Sequence, residues 1–516
     1  VVHVPVPAGN YVRLTGGKDR IFYMADSESG VAGNGPPVRT LHSFDVSKKE
    51  DSVLLAGIID YDIDASAGKV IYIAGVGQPI CGIVEVGPGK KVGDGKLDFS
   101  GLEMKLDPRE EWKQIFEEAW RTERDFYYDP NMRGLDWAGI KARYEKELPY
   151  VAHRSDLNYL IGEMIAELST SHTYVGGGDQ PHATHVGVGL LGADYEAANG
   201  YYRFKKIYPG DNSDDDTRSP LTEPGVVIHQ GDYLIAVNGR PVNTGDEVYA
   251  AFEKTVGKQV VLKVNDKPSA DGARTYTVRP IADESPLRYL DWIDSNRRKV
   301  AEATGGRCGY VHVQDTAITG MQNFARGFYA QTDKDALIVD ERWNRGGFVP
   351  TFFVERLNRG VLSYVAPRDG KDQKVPQAAI NGPKVMLING YAGSGGDAFP
   401  YYFRQMGIGQ LIGERTWGGL VGINGTPPSV DGGFVTAPEA GFWRYDAGKS
   451  EWIVENQGVS PDIEVDNRPD LMIGGHDPQL EKAIEVINAQ LKKNPPVHPR
   501  RPDYSPNRVE GPAAGR

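Results

Sequence analysis

Short apolar runs that alternate with helical stretches fill the second half of the chain and limit its fold more than any other feature. From about residue 283 the order is "CGYVHV", a helix over 319 to 331, "DALIVDERWNRGG", a helix over 350 to 358, "KVMLING", the turn "YAGSGGD" with a helix behind it, and "LIGERT". Strands this short and apolar, returned by helices, pair most readily in parallel. An α/β unit with a largely parallel sheet is expected, its reacting groups at the carboxyl ends of the strands.

The rest of the chain reads differently. At 516 residues it is too long for one core, so three or four compact units are expected. Residues 1 to about 105 give short strands such as "RIFYMA", "KVIYIAG" and "ICGIVEVG" between Gly and Asp turns, which suits a propeller or sandwich cut short. A helix begins at "DPREEWKQIFEEAW", where Trp112, Ile115, Phe116, Ala119 and Trp120 recur at helical spacing behind an Asp-Pro. A second helix carries Leu157, Leu160, Ile161, Met164, Ile165 and Leu168 on one stripe, with Ser155 available as its cap, and runs out at Ser169 to His172. From about Thr184 to Ile281 strands return around an Asn-Gly turn, with a helix over 246 to 255. Gly231, Asp232, Ile235, Val237, Asn238, Gly239 and Val242 match the "GDxIxxVNGxxV" pattern, so this segment resembles a PDZ domain, a class that takes extended peptides against a sheet edge.

Net charge and cysteine usage narrow the function. A formal charge of −12 argues against nucleic acid or an anionic membrane surface, since such binders need excess Lys and Arg. Peptides or small molecules are the expected partners. Two distant cysteines, Cys81 and Cys308, give neither a disulfide framework nor a zinc site and favour a reducing compartment. No stretch approaches eighteen apolar residues, so no membrane span is expected. The start, "VVHVPVPAGNYVRL", lacks a signal-peptide order and reads as the interior of a longer chain. A cytoplasmic location is expected, or a periplasmic one if an export signal lies upstream.

Ser394 stands among glycines after one apolar run and before a helix. A serine there presents its hydroxyl on a turn, and the amide of Gly395 is a natural oxyanion donor. Gly346 and Gly347 follow another strand and would reach the same sheet edge with a second donor. The same glycines also suit a plain turn or a phosphate nest. A nucleophilic serine needs a base, and His172 follows a helix and precedes a glycine run, although a histidine there can equally be a cap or a solvated side chain. His182 and His185 have ligand spacing without a third ligand, and "DNSDDD" at 211 to 216 lacks the order of a calcium loop. No metal and no cofactor are expected.

Taken in order, "TSH", the PDZ-like segment, "DxRxNxGG", "YAGSGGDxF", "GxRTWGG" and "ENxGVxPD" make the chain from about 105 to 490 resemble the tricorn protease family, related to the C-terminal processing peptidases. The resemblance implies a serine endopeptidase acting on oligopeptides, with Ser394 as nucleophile, His172 as base, and Ser171 relaying to Glu455, Glu451 being the alternative acid. It implies oxyanion amides at Gly347 and Gly395, with Gly346 and Val365 facing the substrate. It also implies a homo-oligomer, hexameric by analogy, with aminopeptidases as partners. The organisation it implies is multidomain: 1–105 the terminal part of a β-propeller, 106–182 a helical domain carrying His172, 183–282 PDZ-like, 283–495 an α/β serine-peptidase domain with a crotonase-like sheet, and 496–516 a disordered tail. Two positions depart from the related patterns. The processing peptidases' lysine base is replaced by Gly419, and where tricorn has a specificity aspartate this chain has Val365, a buried valine that would favour apolar residues, with Asp369 nearby. A non-catalytic peptide-binding scaffold and an acyl-thioester enzyme of crotonase-like type are the competing readings.

Overall fold

The computed structural model describes residues 4–26, 39–75, 79–181 and 183–503, which leaves His182 and most of the expected tail outside the described residues. Chain contacts separate two compact units, one ending at Asp107 and one starting at Pro108.

The first unit is a six-stranded antiparallel sheet in which each strand pairs with the next, from Tyr11–Gly17 to Ile80–Glu85. The alternation in "KVIYIA" is the reason: Val70, Tyr72 and Ala74 are buried while Lys69, Ile71 and Ile73 face out. The β-rich reading of this region holds.

The second unit begins with three helices, Pro108–Phe126, Trp137–Tyr144 and Arg154–Ala166. The expected stripes meet in one cluster: Ile115, Phe116 and Ala119 pack with Leu157, Ile161, Met164 and Ile165. Ser155 is not the cap. His153 occupies that position and its amide donates to Asp156 at 2.9 Å, a carboxylate placed one turn along where it also suits the helix dipole.

A PDZ-like antiparallel sheet follows, ordered Arg274–Val278, Val260–Asn265, Tyr233–Val237, Tyr201–Ile207, Ala193–Ala198. Asn238 and Gly239 make the expected turn with φ of 49° and 79°. The helix expected over 246 to 255 is a single five-residue 3₁₀ turn, Val248–Phe252. Continuation is blocked because Glu253 bridges Val188 and the Lys254 amide donates to Gly187, so the chain is drawn into extended pairing.

The α/β part carries the expected parallel sheet, ordered Cys308–His312, Ala336–Asp340, Lys384–Ile388, Gly409–Gly413, Ile463–Glu464. Its middle strands are buried on both sides. Leu337, Val339, Met386 and Ile388 face the helices Ile318–Tyr329, Pro350–Leu357 and Gly395–Gln405. Ile338, Val385 and Leu387 face two helices the sequence reading passed over, Ser285–Ala303 and Pro478–Lys493, through Val300, Ile487 and Leu491. Beyond the second strand the fully buried Arg342 pairs with Asp340 at 2.7 Å and Asp477 at 2.9 Å, which fixes the start of the loop leading to Gly346. No helix among the described residues is long and apolar enough to cross a membrane.

Candidate active site

Ser394 follows the central strand Lys384–Ile388 and is the residue before the helix Gly395–Gln405, at φ 60° and ψ −118°. Its amide donates to the Gly419 carbonyl at 2.9 Å and to Asp397 at 3.0 Å, so the turn is held from two sides. The loop ending in Gly346 and Gly347 lies directly against it. A Cβ on Gly346 would sit 2.7 Å from Ser394 Cβ, and one on Gly395 would sit 2.4 Å from the Gly347 carbonyl, so neither position tolerates a side chain. Among the described residues the amides of Gly347 and Gly395 have no acceptor, while that of Gly346 is taken by Asn344. Two free donors from separate loops therefore flank the serine, an arrangement suited to a developing oxyanion.

The histidine comes from elsewhere in the fold. His172 lies six residues past the end of the helix Arg154–Ala166, in a left-handed conformation, and is 7% exposed rather than solvated. Its Nδ1 is 2.8 Å from Ser171 Oγ, and Ser171 Oγ donates to Glu455 at 3.1 Å. A hydroxyl that gives its only proton to the carboxylate must accept from the imidazole, which puts the ring proton on Nδ1 and leaves a lone pair on Nε2. Burial holds the imidazole's pKa below its ordinary value, against an opposing pull from the Glu455 charge, so the ring is neutral at neutral pH. Thr436 Oγ1 donates to the His172 carbonyl at 2.6 Å, and the rings of Tyr174 and Trp417 stand 5.9 and 5.5 Å from the imidazole.

Of the two acids left open, Glu455 is the one that lies against Ser171. It accepts from the Ser171 amide and hydroxyl and from the amides of Leu420 and Val421. Glu451 is turned away on the hairpin Trp443–Asp446/Lys449–Trp452, paired with Arg444.

One loop, Thr416 to Val421, joins the two halves. It receives the Ser394 amide at Gly419, packs Trp417 beside Gly393 and His172, and feeds Glu455 from Leu420 and Val421. Gly419 has a reason here: a Cβ there would lie 2.3 Å from the Trp417 ring, so a lysine in its place would strike it. Among the described residues no hydrogen bond joins Ser394 Oγ to the imidazole, a separation common in sites without substrate.

The structure corrects one expectation outright. Val365 is 52% exposed, on the two-stranded hairpin Ser363–Val365/Gln373–Val375, not in a buried pocket. Among the described residues each strand of that hairpin pairs only with the other, so the valine lies on a two-stranded sheet and not inside a larger one. The sequence reading gave no role to Asp397, Thr416, Trp417 or Thr436, although the first three lie within motifs it quotes. Asp397 was legible as the acid three residues after Ser394, the spacing of a capping box; Thr416 reaches Asp397 over 19 positions, and Trp417 and Thr436 meet His172 across more than two hundred. Ser169, His172, Trp343, Ser394, Val454 and Asn456, with φ between 47° and 69°, add a cluster of non-glycine residues in strained conformations around this site.

Comparison with known proteins agrees with the order of these parts. Residues 108–166 match the Tricorn protease C1 domain, 189–283 the Tricorn protease PDZ domain, and 307–465 Peptidase family S41. The chain is 35% identical over 519 residues to tricorn protease homolog 1 of Streptomyces coelicolor, covering 97% of this chain and 47% of that protein.

This chain belongs to the tricorn protease family.

Tricorn protease of Thermoplasma volcanium is 32% identical over 499 residues, with 95% of this chain and 47% of that protein covered. A crystal structure of the tricorn protease aligns with TM-score 0.84 and 29% identity over 95% of this chain and 47% of its own. The chain thus spans about half the length of these tricorn relatives. Ser394, Gly347 and Glu455 fall within the peptidase match, whereas Ser171 and His172 fall between the C1 and PDZ matches.

Proposed function

We propose that the chain is a serine endopeptidase that hydrolyses oligopeptides through an acyl-enzyme at Ser394. The observation that carries this reading is the ordered chain Glu455, Ser171, His172, which leaves a lone pair on Nε2 within a site whose serine is flanked by the unoccupied amides of Gly347 and Gly395. In the reaction His172 Nε2 takes the Ser394 proton as Oγ attacks the peptide carbonyl. The carbonyl oxygen becomes negative and is met by the two amides. The imidazolium, stabilised through Ser171 by the Glu455 carboxylate, then protonates the departing amine, and water repeats the sequence on the ester. Gly346 lies against Ser394 and Val365 is accessible to solvent, so both stay in this reading as substrate-facing positions.

Fluorogenic peptide hydrolysis by purified protein tests it. Turnover should vanish in both Ser394→Ala and His172→Ala; peptide turnover that survives Ser394→Ala would refute the reading, and acyl-CoA turnover in that variant would favour the thioester alternative. The finer organisation belongs to the same proposal: domains at 1–105, 106–182, 183–282 and 283–495, a first sheet ending a propeller, a tail at 496–516, a hexamer with aminopeptidase partners, and a cytoplasmic location, the last supported by Cys81 and Cys308 being unpaired.

A further inference from the structure

Two carboxyl groups lie buried behind the Ser394 loop, and the reaction as written uses neither. Asp397 is fully buried, yet it accepts from the amides of Ser394 at 3.0 Å, Gly418 at 2.8 Å and Gly419 at 3.0 Å, and from the Thr416 hydroxyl. Glu341 is also fully buried, and neither of its oxygens meets a donor among the described residues. Glu341 follows the strand that ends at Asp340, and its carbonyl accepts from the Asn344 amide at 3.1 Å while the Asn344 carbonyl accepts from the Gly393 amide at 3.1 Å, which places it behind the Ser394 turn; the charges whose field reaches it are the carboxylates of Asp397 and Asp340. The neighbouring guanidinium, Arg342, is taken up by Asp340 and Asp477. Tyr310 donates its hydroxyl to Asp340 and not to Glu341.

A buried carboxylate without a donor or a cation is far costlier than the neutral acid, while four donors favour the ionised form of the carboxylate they surround. We propose that behind the Ser394 loop Glu341, buried without a donor, is the carboxyl that holds its proton, and that Asp397, ringed by four donors, is the ionised member of the pair and a positioning residue for Ser394. The inference rests on the serine-peptidase reading for its kinetic consequence only. Ionising Glu341 adds a second buried negative charge behind the Ser394 turn with no donor or cation to neutralise it, and the loop that both Ser394 and Glu455 depend on gives way. Burial pushes both carboxyls up from their ordinary values, and for Glu341 the nearby carboxylates push further, which agrees with this order.

The linkage has a definite sign. A carboxyl whose folded pKa is raised binds its proton more tightly in the folded state, so stability falls as pH rises from the ordinary 4.5 of an exposed glutamic acid toward the folded value. Glu341→Gln mimics the protonated acid and removes that dependence.

The experiment measures melting temperature, peptide hydrolysis and fluorophosphonate labelling rate for the wild-type chain, Glu341→Gln and Asp397→Asn from pH 6 to the highest pH at which the fold persists. Glu341→Gln should match the wild-type kcat within about twofold near neutral pH and hold its melting temperature and activity as pH is raised, while wild type progressively loses both. Asp397→Asn should lose about 100-fold in kcat with KM little changed, because an amide nitrogen facing those donors displaces the loop by a fraction of an ångström or more. The pair is overturned if Glu341→Gln melts with the same alkaline dependence as wild type, or if it impairs kcat near neutral pH as Asp397→Asn does. If wild type neither hydrolyses peptide nor labels at any pH, the peptidase reading fails instead, and the melting comparison still decides where the proton sits.

Discussion

Asp397 and Glu455 accept the same number of hydrogen bonds, four each, and share one loop as a source, which gives three of Asp397's donors and two of Glu455's, yet they sit in different electrical situations. All four donors to Asp397 are fixed: three amides and the hydroxyl of Thr416, in a place without solvent. One of the donors to Glu455 is the Ser171 hydroxyl, which is also the imidazole's partner, and Glu455 is partly exposed. In the proposed reaction Asp397 therefore shapes the Ser394 turn at every stage, whereas Glu455 is the carboxylate that responds to the proton on His172. Equal hydrogen-bond counts do not imply equal roles; what each donor is attached to decides.

Breaking each carboxylate in turn should expose the difference. The largest effect is expected for Asp397→Asn, with its loss of about 100-fold in kcat and an acid limb of kcat/KM left where wild type has it, read from a pH series. Glu455→Gln should cost on the order of tenfold in kcat and move that limb. The imidazole's pKa is already below its ordinary value through burial, and the Glu455 charge is what opposes burial; with the charge removed it falls further, so the acid limb shifts to lower pH. An acid limb that moves in Asp397→Asn and stays put in Glu455→Gln would reverse the assignment. Ser171→Ala, which removes the relay hydroxyl but leaves both ends, should cost about fivefold in kcat/KM, the value of the hydrogen bond lost by the imidazole, Glu455 keeping its three amide donors. Thr416→Val removes a donor to Asp397 and the acceptor of the Val459 amide, and should lower stability by about 1–2 kcal/mol in chemical denaturation. Least of all, Glu451→Gln breaks only an exposed pair with Arg444 and should leave kcat unchanged, with a stability change below about 1 kcal/mol.

What the sequence revealed was set by how local the cause is. The buried strands around "DALIVD" and "KVMLI" and the stripe from Leu157 to Leu168 announce themselves through periodicity, because burial on two faces or one dictates the pattern. The Asn238–Gly239 turn was legible for the same reason, since few residue pairs accept its backbone angles. The five-residue turn at Val248 was not, because the pairing of Glu253 with Val188 that ends it comes from more than sixty residues away. Ser394 and its glycines could be singled out from their neighbours, but the link between Ser171 and Glu455 spans 284 positions and became an expectation only through family resemblance. Val365 shows the limit of that route: its place in an aligned order said nothing about its burial. Glu341 shows the opposite limit, an ordinary-looking acid after a strand whose lack of a donor among the described residues exists only in the folded chain.

The central claim is that Ser394 is a nucleophile armed by His172. Treating the folded protein with a fluorophosphonate probe and mapping the modified peptide tests it most directly. The account predicts a single adduct on Ser394, formed at a rate that collapses in His172→Ala. Unmodified Ser394 in protein that is demonstrably folded, or labelling of Ser394 that is indifferent to His172, would contradict it.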